Sequence, residues 1–457
     1  MRLKIVGGRV FDPAQGWRGE TRDLYVDGDR LVSRLSHVDT VIEARGRAVV
    51  PGGLDLRGQV ATFGLNFLRL WGLVPHHGRL GELYALQGYT HVHEPFLTLA
   101  TAGYVHRELA ALPVVDVSAS LVVNLRDLDL VLKDTERLAE LAETLRFFQE
   151  KSRTLNFRIM EPWVRHRQEF YNYRTLPLAE TLEVLTRLAG ELDTTLMLEA
   201  SPEVLETTLP EPRAFHLSAL GPALATDELV DAALAHLERG TPADLGFIWP
   251  DKIPGGNGIP VHMDLGLSRP LSLKPEAERD QARRALLLAL AGETASAAFS
   301  GAGAVLAPVE HYPDFCVWLG DRQARQEFWG EDVQGREFSF FDWISATRTL
   351  PARLLGLADR GHLGPGARAD IALFDLPQDA EDRWPEHVKI CRTLIKSGTV
   401  VVEEGRLTQV EAPKAACYRR TGAQSTPLVE ELCQFRSFRP ENQWRLEDLE
   451  GAAWAEV

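Results

Sequence analysis

Residues 178–200 read LAETLEVLTRLAGELDTTLMLEA, and this stretch decides the fold class. Its first part repeats apolar residues at spacings of three and four, which is the pattern of one buried helix face, and TLMLEA is a short apolar run typical of a buried strand. The same alternation recurs up to about residue 350, in the apolar runs DLGFIW and SAAFSGAG and the helical segment ERDQARRALLLALAG. Alternating strands and helices indicate parallel βα units, so we expect an α/β fold closed as a (β/α)8 TIM barrel.

Both ends of the chain have a different pattern. Short runs of β-forming residues at Leu3 to Val6, Asp23 to Val26 and Arg47 to Val50 are separated by Gly, Asp and Pro, and a strand pattern returns after Arg353 in ADIALFDL and TLIKSGTVVVEEGRLT. We therefore expect a small β-sandwich built from both termini, with the barrel inserted between its two parts.

Three domain ranges follow from these patterns. Residues 1–50 and 354–412 are predicted to form the composite β-sandwich, and residues 51–353 the barrel. Residues 413–457, rich in charged and aromatic side chains, are predicted to be a peripheral C-terminal extension, with docking to a partner chain left open.

Composition limits the function. Lys and Arg total 50 against 65 acidic residues, a formal charge of −15, which argues against a general binder of nucleic acids or anionic membranes. The four cysteines are scattered without a CxxC pair, so the sequence suggests neither a zinc knuckle nor a redox motif. The N-terminal residues lack an apolar signal core, and no stretch has the length of a membrane span. We expect a cytoplasmic protein.

Four ordered stretches carry a resemblance to a known family: 8–56 (GRVFDPAQGWRGETRDLYVDGDRLV to VIEARGRAVVPGGLDL), 88–116 (GYTHVHEPFLTLATAGYVHRELAALPVVD), 157–163 (FRIMEPW) and 353–376 (RLLGLADRGHLGPGARADIALFDL). Together they resemble the amidohydrolases. The HEPFLTLATAGYVHREL segment resembles a narrower type, the amidohydrolase subunit of formylmethanofuran dehydrogenase. That type includes the corresponding subunit of the bacterial formyltransferase/hydrolase complex.

The resemblance implies hydrolysis of an N-formyl amide on a methanofuran-type one-carbon carrier, or its reversal. In the family, two divalent metals polarise the carbonyl and activate a bridging water. Their ligands are a His-x-His on the first barrel strand, a carboxylated Lys, two further His and an Asp.

This chain departs from that ligand set. In PGGLDLRGQ, Arg57 and Gln59 stand where the two first-strand His are expected, and Arg158 stands at the carboxylated Lys. Arg has no lone pair for a metal, and Gln is a poor zinc ligand. The remaining positions are Leu198 or Glu199 for the third His, His216 for the fourth, and Ala302 or a neighbouring Gly for the Asp. We therefore expect no metal cofactor at the family position.

The charges suggest a substitute for the metals. We hypothesise that Arg57 and Arg158 pair with Asp55, Glu161 or Glu199, because a buried ion needs a partner. The alternative is that both arginines reach outward to solvent.

A second His-x-His lies on the next predicted strand, at His91 and His93 in YTHVHEP. Strand alternation places both imidazoles on one face, as two zinc ligands require. His216, His262 or His311 would complete a relocated zinc site. The alternative is that these histidines hydrogen-bond within a buried polar layer.

The segment WVRHRQEFYNYR follows a predicted strand end, where barrels place their substrate loops. Arg165, Arg167 and Arg174 are candidates for gripping the carboxylates of a glutamate-rich carrier tail, since Arg offers a bidentate fork. An Arg-rich solvated helix start or a subunit contact is the alternative.

Two functions are consistent with these observations. The first is a non-catalytic or altered paralogue of the family's amidohydrolase subunit. It would assemble with the other subunits of a formyltransferase/hydrolase or formylmethanofuran dehydrogenase complex, with or without binding of the carrier. The second is an active metal-dependent N-formyl amidohydrolase with a rearranged, mononuclear zinc site. A pseudoenzyme with an unrelated binding role is a broader third option.

Overall fold

The computed structural model describes residues 1–70, 72, 74–124, 134–160, 176–247, 275–292, 297–301, 308–330, 335–408, 413–435, 445–446, 449 and 452–457. Within them the strands are β1 (Arg2–Asp12), β2 (Trp17–Asp27), β3 (Arg30–Val32), β4 (Thr40–Glu43), β5 (Arg47–Pro51), β6 (Gly53–Asp55), β7 (Tyr89–Leu97), β8 (Asp116–Asn124), β9 (Asn156–Met160), β10 (Leu196–Glu199), β11 (Phe215–Ser218), β12 (Ile371–Asp375), β13 (Thr393–Lys396), β14 (Thr399–Glu403), β15 (Arg406–Leu407), β16 (Ala416–Tyr418) and β17 (Trp454–Glu456).

The helices within the same residues are α1 (Phe63–Leu70), α2 (His77–Leu86), α3 (Ala102–Ala110), α4 (Leu138–Lys151), α5 (Leu178–Leu192), α6 (Pro202–Leu205), α7 (Leu220–Ala223), α8 (Asp227–Glu238), α9 (Pro275–Leu290), α10 (Tyr312–Gly320), α11 (Arg322–Trp329), α12 (Phe340–Ile344), α13 (Leu350–Leu354), α14 (Trp384–His387) and α15 (Pro427–Phe435). None of the helices described is long and apolar enough to cross a membrane.

The barrel sheet is parallel and follows the chain. Strands β6 to β11 pair in sequential order. Parallel bridges from Leu217 to Ala243 and from Asp244 to Ala298 extend the sheet through two further segments, at 243–247 and 298–301. Strand β7 is buried along almost its whole length, as expected for a parallel strand covered on both faces. The predicted fold class, an amidohydrolase-type barrel inserted in a β-sandwich formed by both termini, is confirmed.

The decisive stretch folds as its periodicity predicts. Helix α5 buries Leu182, Leu185, Leu188 and Leu192, which follow one another at spacings of three or four residues, and β10 begins four residues after the helix ends. Asp193 ends the helix in the left-handed region, at a φ of 49°. The short turn returns the chain to the sheet, so the next strand lies beside β9.

Strands from both chain ends form the second sheet. Its order is β15-β14-β13-β12-β5-β1-β2-β3, with β4 also pairing with β1. The two halves meet where β12 runs antiparallel to β5, with Ala372 opposite Val50. A separate apolar cluster that includes Leu3, Val26 and Ile371 holds this sheet together.

The C-terminal tail enters the barrel sheet. Strand β16 pairs in parallel with the start of β8, and β17 pairs with β16. Helix α15 lies against α4, where the backbone N–H of Leu428 donates to Glu140. Strands β16 and β17 therefore extend the barrel sheet beside β8, and the assignment of residues 413–457 to a separate C-terminal extension stays a prediction.

Candidate functional site

The residues at the expected family positions converge inside the barrel. Arg57 follows β6, Arg158 lies on β9, Glu199 ends β10 and His216 lies on β11. Each of these four side chains is at most 3% exposed. The alternative in which both arginines reach solvent is therefore wrong.

Strand register corrects one predicted position. Met197 lies opposite both Arg158 and His216, so alternation turns Met197 and Glu199 toward the barrel interior and Leu198 to the other face. Leu198 packs in the main hydrophobic cluster. Of the two residues predicted for the third ligand position, Glu199 faces the barrel interior and Leu198 does not.

Arg158 and Glu199 form a buried ion pair. Nη2 of Arg158 lies 3.4 Å from Oε1 of Glu199. The hypothesised pairing of an arginine with a carboxylate is confirmed for these two residues. The cation of this pair is a side chain of the protein, on strand β9.

Arg57 is held differently from the hypothesis. Its backbone N–H donates to Oδ1 of Asp55 at 2.9 Å, and its Nη1 donates to Oγ of Ser218 at 3.2 Å. Oδ2 of Asp55 accepts hydrogen bonds from Tyr84 and Tyr312, both at 2.7 Å. The suggested guanidinium–Asp55 pair is wrong, because Asp55 is engaged by two phenols and a backbone amide. Glu161 lies outside the described residues.

The environment of Arg57 is electrostatically unfavourable for its charge. Burial, and then the nearby charge of Arg158, lower the pKa of Arg57 to about 10. The carboxylates of Asp244, Glu199 and Glu94 act in the opposite direction. The guanidinium stays protonated at neutral pH, so the barrel interior carries a fixed positive charge there.

Asp244 is a buried carboxylate that sequence reasoning missed. Its Oδ2 lies 2.9 Å from Nε2 of His216, and its Oδ1 accepts hydrogen bonds from Oγ of Ser300 and from the backbone N–H of Ala219. Burial raises the pKa of Asp244, but these bonds and the charges of His216 and Arg57 hold it well below its usual range. The available signal was an aspartate opening the apolar run DLGFIW, since a carboxylate entering a buried strand needs a partner.

His91 and His93 belong to a hydrogen-bonded polar layer. Oγ of Ser118 lies 2.8 Å from Nε2 of His91 and 2.7 Å from Nδ1 of His93, and Nε2 of His93 lies 2.7 Å from Oγ of Ser120. Burial lowers the pKa of both imidazoles, that of His93 to about 3. Both rings are neutral at physiological pH, and a serine contacts Nε2 of His91 and both ring nitrogens of His93.

Glu94 follows these histidines and caps the loop after β6. Its two carboxylate oxygens accept hydrogen bonds from the backbone N–H groups of Ala61, at 2.8 Å, and Phe96, at 3.1 Å. Burial raises the pKa of Glu94 to about 7, although those bonds and the charge of Arg158 act against the rise. The carboxyl therefore titrates near neutrality.

One group of metal-type ligands converges elsewhere. Within the described residues, ligand atoms of His91, Asp116 and Cys417 lie within 4.8 Å of one another. Oδ2 of Asp116 already lies 3.0 Å from Nζ of Lys396 and 2.7 Å from Nη2 of Arg360. Two protein cations therefore neutralise the carboxylate that a metal would need, and the cluster joins the barrel, the terminal sheet and β16.

The donor set does not fit the family's dinuclear centre. Arg57 and Arg158 offer no lone pair, and Glu199 is committed to Arg158. His216 and Asp244 remain as ligand types, but they contact each other. A dinuclear centre needs several lone-pair donors around each ion, and the described residues at these positions do not supply them.

The other predicted site residues fall elsewhere or outside the description. Arg165, Arg167, Arg174, His262 and Ala302 lie outside the described residues, so their roles stay predictions. His311 is directed to Asp314, with Nδ1 3.3 Å from Oδ2. Cys316 is buried, and burial raises its pKa to about 12, so its thiol is not an activated nucleophile.

Comparison with known proteins agrees with this fold. An amidohydrolase family model matches residues 306–402. The chain is 23% identical to the FhcA subunit of the formyltransferase/hydrolase complex of Methylorubrum extorquens, over 89% of each chain. It is 22% identical to protein FwdA of Methanocaldococcus jannaschii, over 90% of this chain and 89% of that protein.

A solved structure extends the likeness to three dimensions. A chain of the formyltransferase/hydrolase complex FhcABCD from Methylorubrum extorquens, crystallised with methylofuran, matches with a TM-score of 0.82 at 20% identity. The match covers 100% of this chain and 99% of that chain. The predicted resemblance to this narrower type of amidohydrolase is confirmed.

Proposed function

Starting from this resemblance to the FhcA subunit of the formyltransferase/hydrolase complex, we propose that the chain is an amidohydrolase-fold member of such a complex that no longer performs the family's metal-dependent hydrolysis. It acts in one-carbon metabolism in the cytoplasm, in a structural or altered role. The near-complete match in length and fold to a chain of the solved complex supports a conserved assembly role.

The single observation that carries the proposal is the pair of buried arginines. Arg57 and Arg158 are fully buried inside the barrel, and they are the residues that the resemblance assigns to two of the family's metal-ligand positions. Metal-assisted hydrolysis requires ions that polarise the carbonyl and lower the pKa of water. Guanidinium groups neither coordinate those ions nor leave the site electrostatically attractive to them, which supports loss of the hydrolytic step.

Binding of a methanofuran-type carrier is the finer part of the proposal. The similar solved complex contains methylofuran, and the present chain keeps an Arg-rich stretch that would suit a carboxylate-bearing tail. Arg165, Arg167 and Arg174 are the residues proposed for it. A charge-reversal variant such as Arg167→Glu tests this, since it should weaken carrier binding without dissociating the complex.

Purification of the chain from its native cells, without an imidazole-binding tag, tests the assembly. We expect it to elute in a complex with subunits similar to the other FhcABCD chains. Elution alone, or only with proteins unrelated to formyl-group transfer, would contradict the proposal. Metal analysis of the same fractions tests the second part of the proposal, the loss of metal-dependent hydrolysis, independently of the assembly.

The second candidate is an active hydrolase with a mononuclear zinc site. The observation in its favour is that His91, His93 and His216 are all retained in the barrel interior. It predicts stoichiometric zinc and deformylase activity that His93→Ala abolishes. Absence of zinc and of deformylase activity from the native complex would favour the first candidate, whereas activity that survives this substitution would contradict both.

A further inference from the structure

Arg57 has one unoccupied edge. Nη1 donates to Ser218, whereas none of the described residues accepts a hydrogen bond from Nε or Nη2. The whole side chain is buried, at 0% exposure. Leaving buried donors of a charged group unbonded is unfavourable, so a partner at this edge is expected.

The two unbonded nitrogens lie on the same side of the guanidinium group. Nε–H and Nη2–H point in nearly parallel directions, and this fork matches the two oxygens of a carboxylate. The bond from Nη1 to Ser218 and the backbone bond of Arg57 to Asp55 hold the group in place. The edge is therefore oriented before any ligand arrives.

The neighbouring charges are already matched in pairs. Arg158 lies beside Glu199, and Asp244 lies beside His216. Glu94 is engaged by backbone N–H groups. Among the described residues, the guanidinium of Arg57 donates a hydrogen bond to the neutral hydroxyl of Ser218 and to no carboxylate.

We propose that the Nε–Nη2 edge of Arg57 binds the carboxylate of a small monoanion, of the size of formate or acetate, inside the barrel. The carboxylates of Asp244, Glu199 and Glu94 act on the same guanidinium and disfavour a second negative charge on the ligand. A monoanion is therefore preferred over phosphate or a dicarboxylate. The inference does not depend on the assembly proposed above.

Thermal unfolding with sodium formate, against sodium chloride at equal ionic strength, tests the site. The expected result is a saturable rise in Tm with formate and none with chloride, because only the carboxylate makes two parallel bonds. In Arg57→Gln the rise should disappear. In Arg57→Lys, which keeps the charge but not the fork, affinity should fall roughly tenfold or more.

An exposed arginine supplies the matched control. Arg79 lies on the surface in an ion pair with Glu82, and Arg79→Gln should respond to formate as the wild type does. Equal effects of formate and chloride on the wild type would overturn the proposal. So would unchanged formate binding in Arg57→Lys, which serves as the deciding variant if Arg57→Gln does not fold.

Discussion

Nη2 of Arg158 lies 3.4 Å from Oε1 of Glu199, and the two side chains are 0% and 4% exposed. They come from neighbouring parallel strands, β9 and β10. A covalently attached cation thus stands inside the barrel where relatives of this fold are expected to gather metal ligands. Each of the two buried charges thus has an opposite charge beside it, which offsets part of the cost of burying them.

The first prediction concerns this pair. Arg158→Met leaves Glu199 buried without its cation, so the free energy of unfolding should fall by about 3–5 kcal/mol. The double variant Arg158→Met, Glu199→Leu removes both charges and should recover most of that loss. Urea unfolding measures both. A double variant as unstable as the single one would show that the two residues are not energetically coupled.

The second prediction concerns Asp116, the buried carboxylate that contacts Lys396 and Arg360. Asp116→Asn removes the carboxylate that buried Lys396 and Arg360 share. Lys396 keeps Asp370 at 3.4 Å and Arg360 keeps Asp359 at 2.9 Å, so the loss of unfolding free energy should lie at the low end for a broken buried pair, about 3 kcal/mol. Arg420→Ala breaks the exposed pair with Glu456 and should change stability by no more than about 1 kcal/mol. Chemical denaturation of both variants checks this. Similar losses in the two would contradict the assigned role of Asp116.

The third prediction concerns pH. Burial raises the pKa of Glu94 from 4.5 to about 7, so between these values the folded state keeps a proton that the unfolded state has released. Its contribution to stability is complete below about pH 4.5, and is lost as the pH rises to about 7. The stability of wild type minus that of Glu94→Gln should therefore fall by on the order of 3 kcal/mol across this window.

The quantity to compare is the difference in unfolding free energy between the wild type and Glu94→Gln. The buried histidines change the stability of both proteins with pH in the direction opposite to Glu94, and the difference removes their effect. Burial lowers the pKa of His93 to about 3, so its contribution grows as the pH rises from about 3 to its usual value. Glu82→Gln, on a partly exposed side chain of α2, is the control and should give a flat difference. A flat difference for Glu94→Gln as well would rule out its titration in this range.

Much of the barrel could be predicted because its signals are local. The spacing of apolar residues in α5 and the short run that forms β10 depend only on neighbours in sequence. The sequence also shows that Arg57 and Arg158 cannot be metal ligands, since a guanidinium cannot coordinate a cation in any fold. The register of β10 was harder, because a shift of one residue exchanges Leu198 for Glu199.

Other features depend on contacts distant in sequence. The ion pair of Arg360 with Asp116 and the pairing of β16 with β8 join segments about 250 to 300 residues apart, which periodicity cannot reveal. Asp244 could have been suspected as a charged residue opening an apolar run, but its partner His216 comes from the preceding strand. The two tyrosines that engage Asp55 come from separate helices, and only the fold places them together.

Metal content tests the central claim most directly. The native protein, purified without chelators or an imidazole-binding tag, is analysed by inductively coupled plasma mass spectrometry together with its electron density. The account predicts zinc and other divalent metals well below one ion per chain, and guanidinium density at Arg57 and Arg158. Two divalent ions per chain, with density for both beside these arginines, would contradict it.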